Sequence, residues 1–187
     1  MAQAEKTGTA AAPPTAGIGW EPPRWASPTA VLLSLGGLGV SLYLTVAHYG
    51  SGITLACPDS GVIDCQKVTT SPQSVIFGIP VAVLGMVFFA AMLLLNSPRA
   101  WRQSGPFVRL TRIALASFGV GFVVYLIYTE LFTIHAICLW CTATHVLAFL
   151  LFVVLALAES FARTDSRADG RGRLVGGPSP GRSEDPD

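Results

Sequence analysis

From Ile113 to Ala158 the chain is almost unbroken in its apolarity. Besides two cysteines, the only ionisable side chains in that run are Glu130, His135, His145, Tyr125 and Tyr128. As one helix the run would be about 69 Å long, at about 1.5 Å per residue, against about 30 Å of hydrocarbon in a bilayer. One span cannot use that length, and the core of a small soluble domain cannot bury it. The run therefore predicts a helical hairpin in a membrane, with spans over about 113–131 and 137–158. Thr129, Glu130, Thr133 and His135 mark the turn, without help from Gly or Pro.

Two further apolar runs extend the pattern. Thr29–His48 carries no charge before His48, and Val75–Leu95 carries none at all. Each is about the 20 residues that a spanning helix requires. In the first, Gly36, Gly37 and Gly39 leave little side-chain bulk, so a neighbouring helix can approach closely. The second opens with Phe77-Gly78-Ile79-Pro80, which puts a proline in or near the first turn, where a missing N–H costs least. Composition agrees: 51% of the residues are hydrophobic and only 12% charged, where soluble domains average about 25% charged. The predicted fold is an all-α membrane protein, a bundle of four transmembrane helices over 29–160. Residues 1–28 read as a disordered leader without the apolar segment of a signal peptide, and 161–187 as a disordered tail.

Charge placement orients the bundle. An even number of spans puts both termini on one side. Lys6, Arg24, Arg99, Arg102, Arg109, Arg112, Arg163, Arg167, Arg171, Arg173 and Arg182 fall on that side, and Lys67 alone falls on the other. The positive-inside bias makes the terminal side cytoplasmic. The tail arginines are offset by Asp and Glu and the net charge is +1, so no nucleic-acid partner is expected.

All four cysteines then face the opposite, oxidising side. Cys57 and Cys65 lie in the polar loop 49–74, and Cys138-Leu139-Trp140-Cys141 heads the fourth span. A Cys-x-x-Cys pair can close a disulfide within one helical turn, and a helix N-terminus stabilises the thiolate. The same four residues could instead be metal ligands in a membrane-bound binding or assembly protein, though an oxidising compartment favours disulfides. Thiolate–disulfide exchange would join the pairs in series. The loop pair would serve a soluble dithiol, and the helix-head pair a lipid-soluble acceptor held among the helices. Glu130, an acid inside a span, is by default a candidate for handling protons. His135 reads as a turn residue.

In order and spacing, Cys57, Cys65, Ser71-Pro72, Phe77-Gly78-Ile79-Pro80 and Cys138-Leu139-Trp140-Cys141 resemble the vitamin K epoxide reductase family. The resemblance covers about Thr29–Ala158 and includes all four cysteines. It is closest to bacterial members without a fused thioredoxin-like domain, since nothing after Arg163 is long or apolar enough to supply one. It implies a quinone-dependent enzyme of the bacterial inner membrane that reoxidises a DsbA-like thioredoxin-fold partner, with menaquinone or ubiquinone as acceptor and no metal. Cys138 and Cys141 would form the active-site disulfide, with Cys141 reacting with the quinone. Cys57 and Cys65 would be the shuttle, Cys65 joining transiently to Cys138 while Cys57 exchanges with the partner. Ser71 matches a family hydroxyl that supports thiolate or quinone chemistry.

Other quinone contacts are expected from position. His145 lies four residues after Cys141 and shares its helix face, so it could hydrogen-bond a carbonyl or deliver a proton. Phe77 could pack on the ring or between helices, and Trp140 could be both interfacial anchor and pocket wall. The unrelated quinone-coupled oxidase DsbB also has four spans and two cysteine pairs. It carries its Cys-x-x-Cys in the first extracytoplasmic loop, whereas this chain has it before the fourth span.

Overall fold

The computed structural model describes residues 23–50, 55–57, 61–102 and 105–175. Helix α1 spans Ala26–Tyr49, the short α2 Cys65–Thr69, α3 Val81–Leu95, α4 Pro98–Arg102, α5 Pro106–Tyr128 and α6 Leu139–Val175. A two-residue hairpin, β1 (Val75–Ile76) with β2 (Ile79–Pro80), precedes α3. Helices α1, α3, α5 and α6 pack as a bundle, with α1 against both α3 and α6, and α5 bridging α6 and α3. Three of them (α1, α5 with the turn that follows it, and α6) are long and apolar enough to cross a membrane.

Where the helices start and stop follows from their punctuation. Pro106 stands at the first position of α5, so the third helix begins seven residues before the Ile113 expected for its span and carries Arg109 and Arg112 within it. Arg112 is buried there, donating to the Leu95 carbonyl at 2.8 Å with its guanidinium 4.1 Å over the Trp101 ring. The second helix is shorter than the 75–95 expected. Phe77 (φ 51°) and Gly78 (φ 80°) take left-handed backbone, turning Val75–Pro80 into a hairpin, and α3 starts only at Val81. Its 15 residues make about 22 Å of helix. At the other end, α6 continues past the expected limit of 158 to Val175: no proline interrupts the stretch, and Gly170 and Gly172 are carried within a helix already nucleated by its apolar part.

Packing within the bundle relies on small residues. The buried face of α1 is Ala26, Ala30, Ser34, Gly37, Ser41 and Leu44. Of the three glycines singled out by the sequence, only Gly37 is pressed on a neighbour; a Cβ there would overlap the ring of Phe89 on α3. Gly36 and Gly39 have room. On α6 the buried positions Ala148, Leu151, Leu155, Ala158 and Ala162 alternate three and four apart, the seam of a left-handed coil. Ser34 and Thr45 donate to carbonyls one turn back, at 2.7 Å each, which satisfies their hydroxyls inside the bundle. Large apolar side chains meanwhile point outward on every long helix, Leu32, Val87, Phe118 and Phe149 among them. Soluble monomers rarely expose apolar surface on that scale. The molecule is a membrane protein.

The turn between α5 and α6 forms without Gly or Pro. Thr129–Ile134 continues α5 as one wider π-helical turn, and His135 then takes the left-handed conformation (φ 54°). The Ala136 N–H returns to the Glu130 carbonyl at 3.2 Å, which closes the turn. A π turn admits one extra residue and rotates the side chains after it. Here it turns Thr129 and Glu130 into the protein, where both are buried.

Candidate active site

Both cysteine pairs lie at one end of the bundle, and a backbone contact brings them there. Ile63 and Ile137 form an isolated parallel bridge: the Ile137 N–H donates to the Val62 carbonyl at 2.9 Å, and the Asp64 N–H to the Ile137 carbonyl at 3.2 Å. Cys65 follows that bridge by two residues on the loop, and Cys138 by one on the other strand. The Asp64 carboxylate accepts from the Lys67 N–H at 2.8 Å and so caps α2, whose first residue is Cys65. Val68 and Cys65 are thereby turned inward. Cys65 (2% exposed) and Cys138 (0%) share one buried apolar cluster with Leu44, Val68 and Ala136, with Cys57, Trp140 and Cys141 packed around it.

The two pairs differ in state. Cys57 and Cys65 are joined by a disulfide with their Cα atoms 6.2 Å apart. Cys138 and Cys141 are thiols. Cys138 is the residue immediately before α6. Its carbonyl accepts from the Thr142 N–H at 2.8 Å, and its Sγ accepts from the Cys141 N–H at 3.2 Å. The sulfur thus occupies the place that a serine or aspartate oxygen takes at most helix N-caps. Cys138 precedes the spanning part of α6. A hydrogen bond from the Cys141 thiol holds its thiol below the usual range, outweighing burial, and the Cys141 backbone N–H adds to the effect.

Cys141, three residues on, lines a cavity of about 360 Å³ enclosed by α1, α3, α5, α6 and the segment after α2. Most of the wall is apolar, including Phe88, Phe89, Phe118 and Phe122; the polar groups converge on the cysteine end as Ser71, Gln73, Thr144, His145 and Glu130. Val87 and Phe118, 60% and 70% exposed, also line the cavity, so its α3–α5 wall reaches the outer surface of the bundle. Beside them α5 and α3 touch at Gly119 and the ring of Phe88, where an added Cβ would lie 2.6 Å from the ring.

Of the residues singled out by the sequence, Cys141, His145, Ser71 and Glu130 all line this cavity. Cys141 and His145 do share a face, one helical turn apart. Ser71 donates its hydroxyl to the Val68 carbonyl at 2.8 Å, which ties it to α2. Glu130 is buried, and its side of the cavity is the one that Cys141 also lines. Phe77 is elsewhere: at the tip of the β1–β2 hairpin it is fully exposed and does not line the cavity. Trp140 also lies outside the wall and faces the loop, donating its Nε1–H to the Ala56 carbonyl at 3.0 Å. His135 is an exposed turn residue. Sequence reasoning missed Gln73, the aromatic wall and Tyr43, whose ring sits 4.9 Å from that of Trp140. The Phe118/Phe122 spacing on one helix face was a readable signal for the wall; Tyr43 had none.

Among the described residues, no three His, Cys, Asp or Glu side chains converge as a metal site. Cys57 and Cys65 are bonded to each other and so do not present thiolates to an ion.

A membrane-embedded helical bundle that gathers an oxidised and a reduced cysteine pair into one buried cluster is a thiol–disulfide oxidoreductase by class. Residues 28–156 match the vitamin K epoxide reductase family, and the chain belongs to that family. Its members use quinones and are linked to thioredoxin-like partners. A comparison with curated proteins found no match.

Proposed function

We propose that the protein is a thiol:quinone oxidoreductase that reoxidises an extracytoplasmic, DsbA-like thioredoxin-fold protein and passes the electrons through its two cysteine pairs to a membrane quinone. On this reading four helices span a bacterial inner membrane, with both termini in the cytoplasm and the cysteines on the far side. The eleven-to-one distribution of Lys and Arg supports the orientation. The shorter α3 completes the bundle, with the Val75–Pro80 hairpin extending it at the cysteine end.

One observation carries the reading: burial orders the four sulfurs. Cys57 is partly exposed, Cys65 and Cys138 are sealed together in the apolar cluster, and Cys141 borders a cavity that reaches the outer surface of the bundle. A soluble dithiol can reach only the outer sulfur of the loop disulfide. Its thiolate attacks Cys57, a mixed disulfide forms, and Cys65 leaves as the thiolate. The second partner thiol then displaces Cys57, so the partner departs oxidised. Inside the cluster Cys65 attacks Cys138 of the Cys138–Cys141 disulfide, releasing Cys141. Cys57 attacks Cys65 in turn, which restores the loop disulfide and frees Cys138. The hydrogen bond from the Cys141 N–H makes Cys138 a good leaving group, because a lower thiol pKa speeds departure. The sequence of exchanges leaves the loop pair oxidised again and the inner pair reduced.

The cavity suits a flat ring carrying two carbonyl oxygens. Phe88, Phe89, Phe118 and Phe122 offer ring-sized apolar walls, and His145, Ser71 and Gln73 offer polar atoms at the cysteine end. A bound quinone would supply the oxidising equivalents, taking up two electrons and two protons as Cys138 and Cys141 close their disulfide. His145 would orient a carbonyl. Glu130, which lines the cavity together with Cys141, would take the thiol proton and hand it on there.

The test is reoxidation of a purified thioredoxin-fold dithiol protein with ubiquinone or menaquinone added. Quinone reduction equal to the disulfide formed, and lost when any one cysteine is replaced, is expected. Cys141→Ser should leave the partner reduced. Full quinone-dependent turnover in that variant would refute the order of transfer.

A further inference from the structure

The segment bearing Cys57 is held by two side chains that the relay chemistry itself does not use. Leu55–Cys57 has no regular secondary structure. Yet both backbone groups of Ala56, the residue immediately before the outer cysteine, are occupied. Its N–H donates to the Tyr43 hydroxyl oxygen at 3.1 Å, and its carbonyl accepts from Trp140 Nε1 at 3.0 Å. Tyr43 lies on α1 and Trp140 within the Cys-x-x-Cys itself, and their rings are tilted at 59° with centroids 4.9 Å apart. The far end of the loop disulfide is fastened to the same short stretch, through the Ile63–Ile137 bridge. Residues 137–140 therefore grip the loop on both sides of Cys138.

We infer that Tyr43 and Trp140 form a latch that holds Cys57 within reach of Cys65 once their disulfide has opened. This rests on the relay reading above. Whenever Cys65 is bonded to Cys138, Cys57 is a free thiol on a segment without a helix or strand to place it. It must return as the attacking group: a Cys57–Cys65 bond forms, the Cys65–Cys138 bond breaks, Cys138 leaves as the thiolate and the Cys57 proton goes to solvent. This is exchange without net oxidation. Its rate depends on how often the Cys57 sulfur stands near Cys65, a proximity term that can be large for a held thiol and small for a loose one. A rigid pair of aromatic donors and acceptors is suited to that task. Tyr and Trp lose little side-chain entropy on fixing, and the ring contact keeps both polar atoms aimed at one peptide unit. Tyr43 and Trp140 are positioning residues, since neither carries electrons.

The variants are Tyr43→Phe and Trp140→Phe, which keep the ring packing and delete one polar atom each, and the pair combined. The assay is steady-state turnover of the full-length protein with a dithiol partner and a quinone, quenched with acid and alkylated, with disulfides mapped by peptide mass. Each single variant should slow return of Cys57 about fivefold, the worth of one ordinary hydrogen bond. The Cys65–Cys138 linked species should accumulate in proportion. A variant that merely folds less well would lower total turnover and leave the distribution of linked species unchanged, so that result overturns the latch. Wild-type-like turnover with no Cys65–Cys138 species in the double variant overturns it equally. Absence of cysteine-dependent turnover in the wild-type protein would instead remove the relay reading beneath it.

Discussion

Asp64 is a decisive place to perturb the proposed transfer between pairs, because the residue does two separable things. Its backbone N–H closes the bridge to Ile137, and its side chain caps α2. Helix α2 has only five residues, far below the length at which a helix is stable by itself. The direction in which it presents Cys65 therefore depends on the cap and on burial of Val68. Asp64→Ala keeps the bridge and deletes the cap, a loss of about 1 kcal/mol. At 1.4 kcal/mol per tenfold, the population with Cys65 correctly turned toward Cys138 falls about fivefold relative to the frayed alternatives. Asp64→Asn removes the charge and retains a capping oxygen, so it should stay within about twofold of wild type. The assay is a single turnover: protein with the loop pair prereduced and the inner pair oxidised is mixed, quenched at intervals, and scored for the reformed Cys57–Cys65 disulfide. Slowing in Asp64→Ala but not in Asp64→Asn is the expected result. Equal slowing in both would trace the effect to charge, and an unchanged rate in Asp64→Ala would refute the claim that the cap sets the transfer geometry.

Other consequences are as direct. Glu130→Gln preserves shape and hydrogen bonding while removing the proton acceptor, so quinone reduction should fall about 100-fold, the low end for a lost general base; reduction by single-turnover stopped flow decides it, and a loss under threefold excludes the role. Cys138 titrates low because of the Cys141 thiol and N–H, so its ultraviolet thiolate absorbance should rise at a lower pH than that of an ordinary thiol near about 8.5. Deprotonation is what a depressed pKa favours, so Cys141→Ala, which removes the thiol donor, should move that transition upward. Gly37→Ala drives a methyl into the Phe89 ring and should destabilise the bundle by about 1–3 kcal/mol, read as a lower thermal midpoint in detergent with α1–α3 packing loosened.

Much of the bundle was legible because membrane burial writes itself in long runs. The hairpin in 113–158 followed from length alone, and its turn fell among Thr129, Glu130, Thr133 and His135 as the polar residues indicated. Local backbone choices were not legible. Phe77 is a non-glycine residue at positive φ, and nothing in an apolar run announces that six of its residues will form a hairpin before the helix begins. The π turn at Thr129–Ile134 is equally silent, since it depends on accommodating one extra residue while Glu130 is turned inward. Helix ends set by Pro106 were readable in principle; the expected start at Ile113 gave more weight to Arg109 and Arg112 than to the proline.

Of the residues singled out by the sequence, Cys141, His145, Ser71 and Glu130 meet at the cavity, but their arrangement was not legible. Spacing put His145 on the face of Cys141, and both do border the cavity. Trp140 occupies the same motif, but it points the other way, because successive helix positions turn about 100° and the Ala56 carbonyl waits on that side. Proximity in sequence to a reactive cysteine therefore says which residues share its neighbourhood but not which share its chemistry. The same distinction separates the two inner sulfurs. Cys138 and Cys141 are equivalent in a Cys-x-x-Cys pattern, and only the fold distinguishes them: one is an N-cap sulfur sealed beside Cys65, the other looks into the cavity. A direction of electron flow needs that inequality. On the proposed relay that inequality would set the direction, and the parallel bridge between Ile63 and Ile137 underlies it by bringing Cys65 and Cys138 into one buried cluster while Cys141 lines the cavity.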